Sequence, residues 1–234
     1  MRISGTMLKE KWQENGDIVY ENDVPDVYFT SIRVLDGQST VLDDYVLYVQ
    51  GEQAQETAFR DNERAGIFCL KKPEKCSRTK LFWTDTVYTE TQILNHILWI
   101  VQLYEVWYEG LQRCLRSEMA LQQTVDYLYR TLGNPCYIAD MRFRVLAMNQ
   151  SNPDLFLYSL HWKQIGELGY LPYDVVSSII ENPQWEAIRT SHRPILAETR
   201  EFSTPFLTCN LRSRGKIVRQ LFLCEIEKKI SRAD

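Results

Sequence analysis

The sequence is short of the features that usually carry catalysis. It holds neither a GxGxxG nor a GxxxxGK[ST] loop, so no backbone cradle for a nucleotide's phosphates is expected. No Gly-x-Ser-x-Gly elbow occurs, which removes the commonest serine-hydrolase arrangement. Histidine is scarce: His96, His161 and His192 stand far apart, and none has a Cys or His partner at metal-ligand spacing. Cys69 and Cys76 flank a loop but lack the second pair that a zinc site needs. Six cysteines lie scattered, mostly inside apolar stretches, the pattern of buried thiols in a reducing compartment and not of a disulfide framework. Positive charge is not in excess either. With 27 Lys and Arg against 31 Asp and Glu, the formal charge of −4 argues against a nucleic-acid-binding surface, which leaves a basic footprint. The N-terminal stretch MRISGTMLKEKWQENGD has no apolar core and does not read as a signal peptide. The longest apolar run, Ile97 to Val101, is far too short to span a bilayer, and no membrane partner is expected. Repeats and low-complexity segments are missing. These absences predict a cytoplasmic protein that is not an enzyme and carries no metal or cofactor.

What is present describes a folded chain. An apolar content of 44% with 25% charged residues is that of a globular protein, and 234 residues suffice for two small domains with modest cores. Between them, Glu90 to Leu132 contains no proline and one glycine, Gly110. Apolar residues recur there at coiled-coil spacing: Ile97, Ile100, Tyr104, Trp107, Leu111 and Cys114, then Leu121, Val125, Leu128 and Leu132. Only Glu118 interrupts about four heptads of this stripe, which predicts one long seam helix. Its first half is apolar nearly all round, because Leu98, Val101, Leu103 and Val106 widen the stripe, and a second copy is the simplest cover. The second half narrows to an a/d seam. A homodimer is therefore expected, with Ile97, Tyr104, Leu111, Leu121, Val125 and Leu128 at its interface.

Before the helix, Asp26–Leu35 and Asp44–Val49 are β-branched and aromatic and predict strands. Gln53–Arg64 reads as a helix, and GIFCL (66–70) and KLFWT (80–84) as short buried strands. Strand, helix, strand predicts a βαβ crossover and a partly parallel sheet. Between the last two strands, KKPEKCSRTK is a basic loop, which could be an anion patch but is ordinarily a solvated turn. Thr84, Asp85 and Thr86 close a strand where α/β proteins place ligand contacts; a plain N-terminal helix cap is the favoured reading.

After the helix, Gly133-Asn134-Pro135 is a stop signal. Two strands joined by a tight turn follow, CYIA (136–139) and RFRVLAM (142–148). A helix-rich stretch from Asn152 to Arg189 then leads to three strand-like runs, Pro194–Glu198, Thr204–Leu211 and Lys216–Glu227. Gly215 suits a hairpin turn between the last two. Two strands, short helices and three antiparallel strands is the element order of a PAS- or GAF-type sensor fold. The segment is rich in rings, including Tyr137, Phe143, Trp162, Tyr170, Tyr173, Trp185 and Phe206. Aromatic walls with few polar groups can hold a small ligand, although rings also simply fill cores. The candidate ligand-binding residues are Tyr137, Trp162, Trp185 and Phe206.

With these elements placed, TSIRVLDG followed by DDYVLYVQ resembles the N-terminal domain of the purine-catabolism regulator (PucR-like) transcription factors of bacteria, through Asp44, Leu47, Tyr48 and Val49. LGNPCYIADMRFRVLAMN and KIVRQLFLCEIEKKISRAD resemble the opening and the closing strand of the GAF- or PAS-like domain of the same regulators. Departures are Gln50-Gly51 in place of Val-Gly after the tyrosine element, and a glycine-rich approach reduced to Gly215. The resemblance implies an α/β N-terminal domain (1–87), a long linker or dimerisation helix (88–132) and an α+β PAS/GAF-like sensor domain (133–234). It also implies a sensor half of a transcription regulator that binds an unknown small effector. Such regulators contact DNA through a C-terminal helix-turn-helix, which would lie beyond Asp234, and the expectation is a fragment or a stand-alone sensor chain. The alternatives are a small-molecule enzyme with a site between the domains, using Asp85, His96 or His161, and a ligand-free assembly module.

Overall fold

Strand β1 (Ile3–Ser4) runs directly into helix α1 (Gly5–Gln13), whose first turn is capped by the Ser4 hydroxyl accepting from the Met7 amide at 3.1 Å. Leu8 and Trp12, four residues apart, share one helix face and are fully buried. The computed structural model describes residues 2–35, 41–51, 60–74, 77–149, 160–198 and 205–230. The chain divides into two units, Met1–Trp107 and Tyr108–Ile230.

In the first unit a sheet is built from β2 (Val19–Glu21), β4 (Ser31–Leu35), β5 (Val46–Gln50), β6 (Gly66–Phe68) and β7 (Lys80–Thr84), in the order β2-β7-β6-β5-β4. The pairs β4–β5, β5–β6 and β6–β7 are parallel and β2 is antiparallel to β7, so the expected partly parallel sheet is present. The strand foreseen over Asp26–Leu35 divides at Thr30 into β3 (Tyr28–Phe29), which pairs with β1, and β4. The helix expected over Gln53–Arg64 falls mainly outside the described residues, and 60–64 is loop and turn. Side chains alternate across the sheet. Leu47, Val49, Phe68 and Phe82 meet α1 and helix α2 (Glu90–Leu115) on one face; Val46, Tyr48, Ile67 and Leu81 form a smaller core on the other. Lys80 was grouped with the basic loop, but its ammonium is buried and bonded to the Glu21 carboxylate at 2.8 Å and the Val24 carbonyl at 2.9 Å. That removes it from any anion patch.

The long seam helix is not continuous. Helix α2 ends at Leu115, its exit tightened by bonds from Arg116 to Arg113 and from Ser117 to Cys114, and α3 begins at Ala120 and runs to Leu132. The break surrounds Glu118, the one misfit in the heptad pattern. Its tertiary cause is visible at Gly110, where a Cβ would overlap the Tyr127 ring. In an unbroken helix those residues would stand about 25 Å apart. Three of the residues expected at a dimer interface pack within the chain itself. Ile97 and Tyr104 belong to the first unit's core and Val125 is fully buried, so a partner cannot reach them. Leu111, Leu121 and Leu128 are half-buried.

The second unit begins with that helix end and α3, stopped by Gly133 in the left-handed conformation (φ 72°). Strands β8 (Cys136–Asp140) and β9 (Val145–Met148) form the first hairpin, with the Asp140 carboxylate accepting from the Arg142 and Arg144 amides at 2.8 and 3.0 Å. Helices α4 (Leu160–Leu168), α5 (Tyr173–Ile180) and α6 (Trp185–Thr190) follow, then β10 (Ile195–Ala197), β11 (Phe206–Ser213) and β12 (Lys216–Cys224). The sheet order is β10-β11-β12-β8-β9, antiparallel throughout. Arg214 and Gly215 (φ 49° and 78°) turn the last hairpin. This is the element order expected from the sequence. Ile165, Val175, Ile179 and Ile188 from the three helices pack on one face of the sheet. Helix α3 lies along β8 and β9, pinned by buried Asn149, whose amide nitrogen donates to the Val125 carbonyl at 2.9 Å while its oxygen accepts from the Cys136 amide at 2.7 Å. Among the described residues no helix is long and apolar enough to cross a membrane, and no group of His, Cys, Asp or Glu could hold a metal ion.

Candidate functional site

Register decides which side chains share the helix-covered face of the second sheet. Thr208 of β11 pairs with Phe222 of β12, and Phe222 pairs with Tyr137 of β8. Directly opposed residues project to the same side. The structure therefore brings together Tyr137, Trp162 and Phe206 of the four residues nominated from the sequence, around Phe222. Tyr137 stacks on Phe222 at 4.9 Å and meets Trp162 edge-on at 5.8 Å, while Phe206 lies 5.9 Å from Phe222. Tyr137, Trp162 and Phe206 are all buried. Trp185 is placed differently: half-buried at the start of α6, it packs beside Phe143 with ring centres 6.4 Å apart.

The cluster is not wholly apolar. The Tyr137 hydroxyl and the Thr208 hydroxyl are buried and find no hydrogen-bond partner among the described residues. Burial pushes the Tyr137 hydroxyl's pKa well above its usual value, and raises the neighbouring Cys224 thiol to about 12, so both are neutral near pH 7. Burial raises Cys136 and Cys209 as well. Cys114, Cys136, Cys209 and Cys224 are free thiols, and Cys76 lies outside the described residues. Raised thiol pKa values describe packed groups, not nucleophiles. Thr208 was missed in the sequence; the signal available was a lone hydroxyl amid core-facing positions of a β-branched and aromatic strand. Deeper in the same face, Gln220 donates to Asn210 at 2.9 Å, and Asn210 donates to the Ile188 and Ser191 carbonyls at 2.6 and 3.1 Å, which anchors α6 to the sheet.

Asp85 and His96, two of the acid–base candidates, each have a defined partner in the first unit. The Tyr20 hydroxyl is bonded to the Asp85 carboxylate, which raises the Tyr20 pKa. The cap of α2 is supplied not by Thr84–Thr86 but by Thr89 and Gln92: the Gln92 amide donates to the Thr89 hydroxyl at 3.3 Å, and the Gln92 side-chain oxygen accepts from the Thr89 amide at 2.9 Å. His96 stacks on Trp12 with ring centres 4.1 Å apart. The side chain of His161 lies outside what is described.

Together these features define an α/β unit with a partly parallel sheet and an antiparallel-sheet α+β unit whose ring-lined core contains two unsatisfied hydroxyls. No protein-family model matches the sequence, that of the purine-catabolism regulators included, and no curated protein matches it. Among solved structures the chain is similar to the GAF domain of a phosphoenolpyruvate-protein phosphotransferase (ptsP) from Coxiella burnetii, at 15% identity and a TM-score of 0.38, over 56% of this chain and 82% of that one. A GAF domain from the Acinetobacter phosphoenolpyruvate-protein phosphotransferase aligns over the same shares at 13% identity and a TM-score of 0.37. An extracellular ligand binding receptor from Desulfohalobium retbaense aligns at 11% identity and a TM-score of 0.31, over 63% of this chain and 28% of the receptor.

Proposed function

We propose that the chain is the ligand-sensing, self-associating regulatory half of a bacterial transcription regulator, with DNA contacted by a helix-turn-helix domain outside these residues. The observation that carries the sensing role is the pair of unsatisfied hydroxyls, Tyr137 and Thr208, in the ring cluster of the second unit. An unpaired buried hydroxyl costs about 1–3 kcal/mol. Phe and Val would fill the same space without that cost, so a polar atom arriving from a ligand is the natural partner. The ligand would be mainly apolar with one or two hydrogen-bonding atoms, because the hydrophobic cluster around the pair is built mostly of rings and aliphatic side chains.

Enclosure supplies the mechanism. A ligand that reaches Tyr137 must part the helical cover, so the bound and free states differ in the packing of α4, α5 and α6. A ligand that favours one packing shifts the population toward it. α6, six residues long, is joined to the sheet by Asn210, by Arg212 and by buried Ile188, and is the shortest of the three covering helices. The test is thermal-shift screening of the chain against a metabolite panel, with turnover assayed in parallel. A stabilising compound without turnover supports sensing. Thr208→Val and Tyr137→Phe should keep or raise the stability of the free protein while reducing the shift that compound gives. Turnover would point to an enzyme, and silence across the panel to an assembly module.

A further inference from the structure

We propose a second small-molecule site, in the first unit, for an uncharged ring with one face that stacks on an indole and an edge carrying both hydrogen-bond donors and acceptors. It is a surface cleft of about 470 Å³ at the start of α2, lined by Asn15, Tyr88, Gln92, Asn95, His96 and Trp99. That volume is within the range of small-molecule pockets.

Its floor is rigid. Phe68 and His96 stack on opposite sides of the fully buried Trp12, at 4.6 and 4.1 Å, and Tyr88 meets Trp12 edge-on at 5.9 Å. Trp99 stands on His96 at 87° with centres 5.7 Å apart, and it is 47% exposed. A half-exposed indole fixed at one edge is a stacking platform.

Charge selects the ligand. None of the six lining residues is Lys or Arg, so an anion has no counter-ion there. The Asp17 carboxylate, beside Tyr88, already accepts from the Tyr88 hydroxyl and from the Thr86 hydroxyl at 2.9 Å. Those two bonds engage both of its oxygens and hold its pKa below the usual carboxylate range. His96 faces Asn15, whose amide nitrogen lies 2.9 Å from Nε2; with the amide donating, Nε2 is an acceptor and the imidazole is neutral. Burial, against the pull of Asp17, lowers the His96 pKa and agrees with that form.

The rim then offers complementary groups. Gln92 spends its oxygen on the Thr89 cap and presents its NH₂ as a donor. Asn15 spends an N–H on His96 and presents its oxygen as an acceptor. Asn95, exposed on the next turn, can do either. Two kinds of molecule share this chemistry: a lactam-containing heterocycle, stacking by its π-face, and a pyranose, stacking by its C–H face.

The experiment is a titration of the full chain, ¹⁵N-labelled at tryptophan, with uracil and separately with methyl β-D-glucopyranoside, following the Trp99 indole N–H by NMR. Saturable displacement of that signal by one of the two supports the site and identifies the source. Trp99→Ala, a surface change, should then weaken binding roughly tenfold or more, as loss of a stacking contact does. Thr208→Val in the other unit should leave it unchanged, which separates this site from the one in the second unit. No saturable displacement by either probe overturns the proposal, as does affinity that survives Trp99→Ala or equal binding of benzoate or benzylammonium.

Discussion

Asn134 gives the sharpest test of how the second unit is held together. Its side chain is fully buried between α3 and β8 and binds the segment that follows β12. The oxygen accepts from the amides of Ile226, Glu227 and Lys228 at 3.2, 3.0 and 3.1 Å, and the nitrogen donates to the Lys228 carbonyl at 2.7 Å. Asn134→Ala removes all four bonds. At a net of about 0.5–1.5 kcal/mol each the loss would reach several kcal/mol. Glu227 and Lys228 are exposed and their backbone groups can turn to water, which discounts the sum. A loss of roughly 2–4 kcal/mol is expected. Urea denaturation measures the total, but a chain of two units need not unfold in one step. Hydrogen exchange at Ile226, Glu227 and Lys228 therefore supplies the local readout: their protection should fall most, and that of β5 and β6 should not change. Destabilisation below about 1 kcal/mol with protection retained at those three amides would refute the reasoning.

Two further outcomes follow from the helices. Gly110→Ala should destabilise by roughly 1–3 kcal/mol through overlap with the Tyr127 ring, with recovery in Gly110→Ala/Tyr127→Ala; in a continuous solvated helix the same change would instead stabilise by about 1 kcal/mol. The sign of that change in a double-mutant cycle decides between a broken and an unbroken helix. Self-association, if it uses α2, has Leu98 and Val106 available, two turns apart and both about half exposed. Leu98→Glu combined with Val106→Glu should reduce a dimer mass to a monomer mass by light scattering, and a concentration-independent monomer in the unmodified chain would remove dimerisation from the proposed function.

Local signals in the chain were enough to place most elements. Val46–Gln50, Gly66–Phe68 and Lys80–Thr84 read as strands because β-branched and aromatic residues suit a pleated, buried surface, and that preference acts over a few residues. Gly133 stopped α3 as read, since only glycine enters the left-handed region without penalty. The nomination of Tyr137, Trp162, Trp185 and Phe206 as ligand-binding residues also had a local basis, in ring density across one short fold. What the sequence could not settle was which surface each apolar stripe would meet. A heptad pattern reports that one face of a helix is buried, not whether the cover is a second copy or the chain itself; Ile97 and Tyr104 went to their own sheet, and α3 turned back so that Tyr127 met Gly110. The unsatisfied state of Tyr137 and Thr208, and the cleft formed by Asn15, Tyr88 and His96, depend on groups far apart in sequence arriving without, or with, suitable partners. Hydrogen-bond satisfaction is a property of three-dimensional neighbours, and strand register and helix reversal, fixed only in the folded chain, decide who those neighbours are.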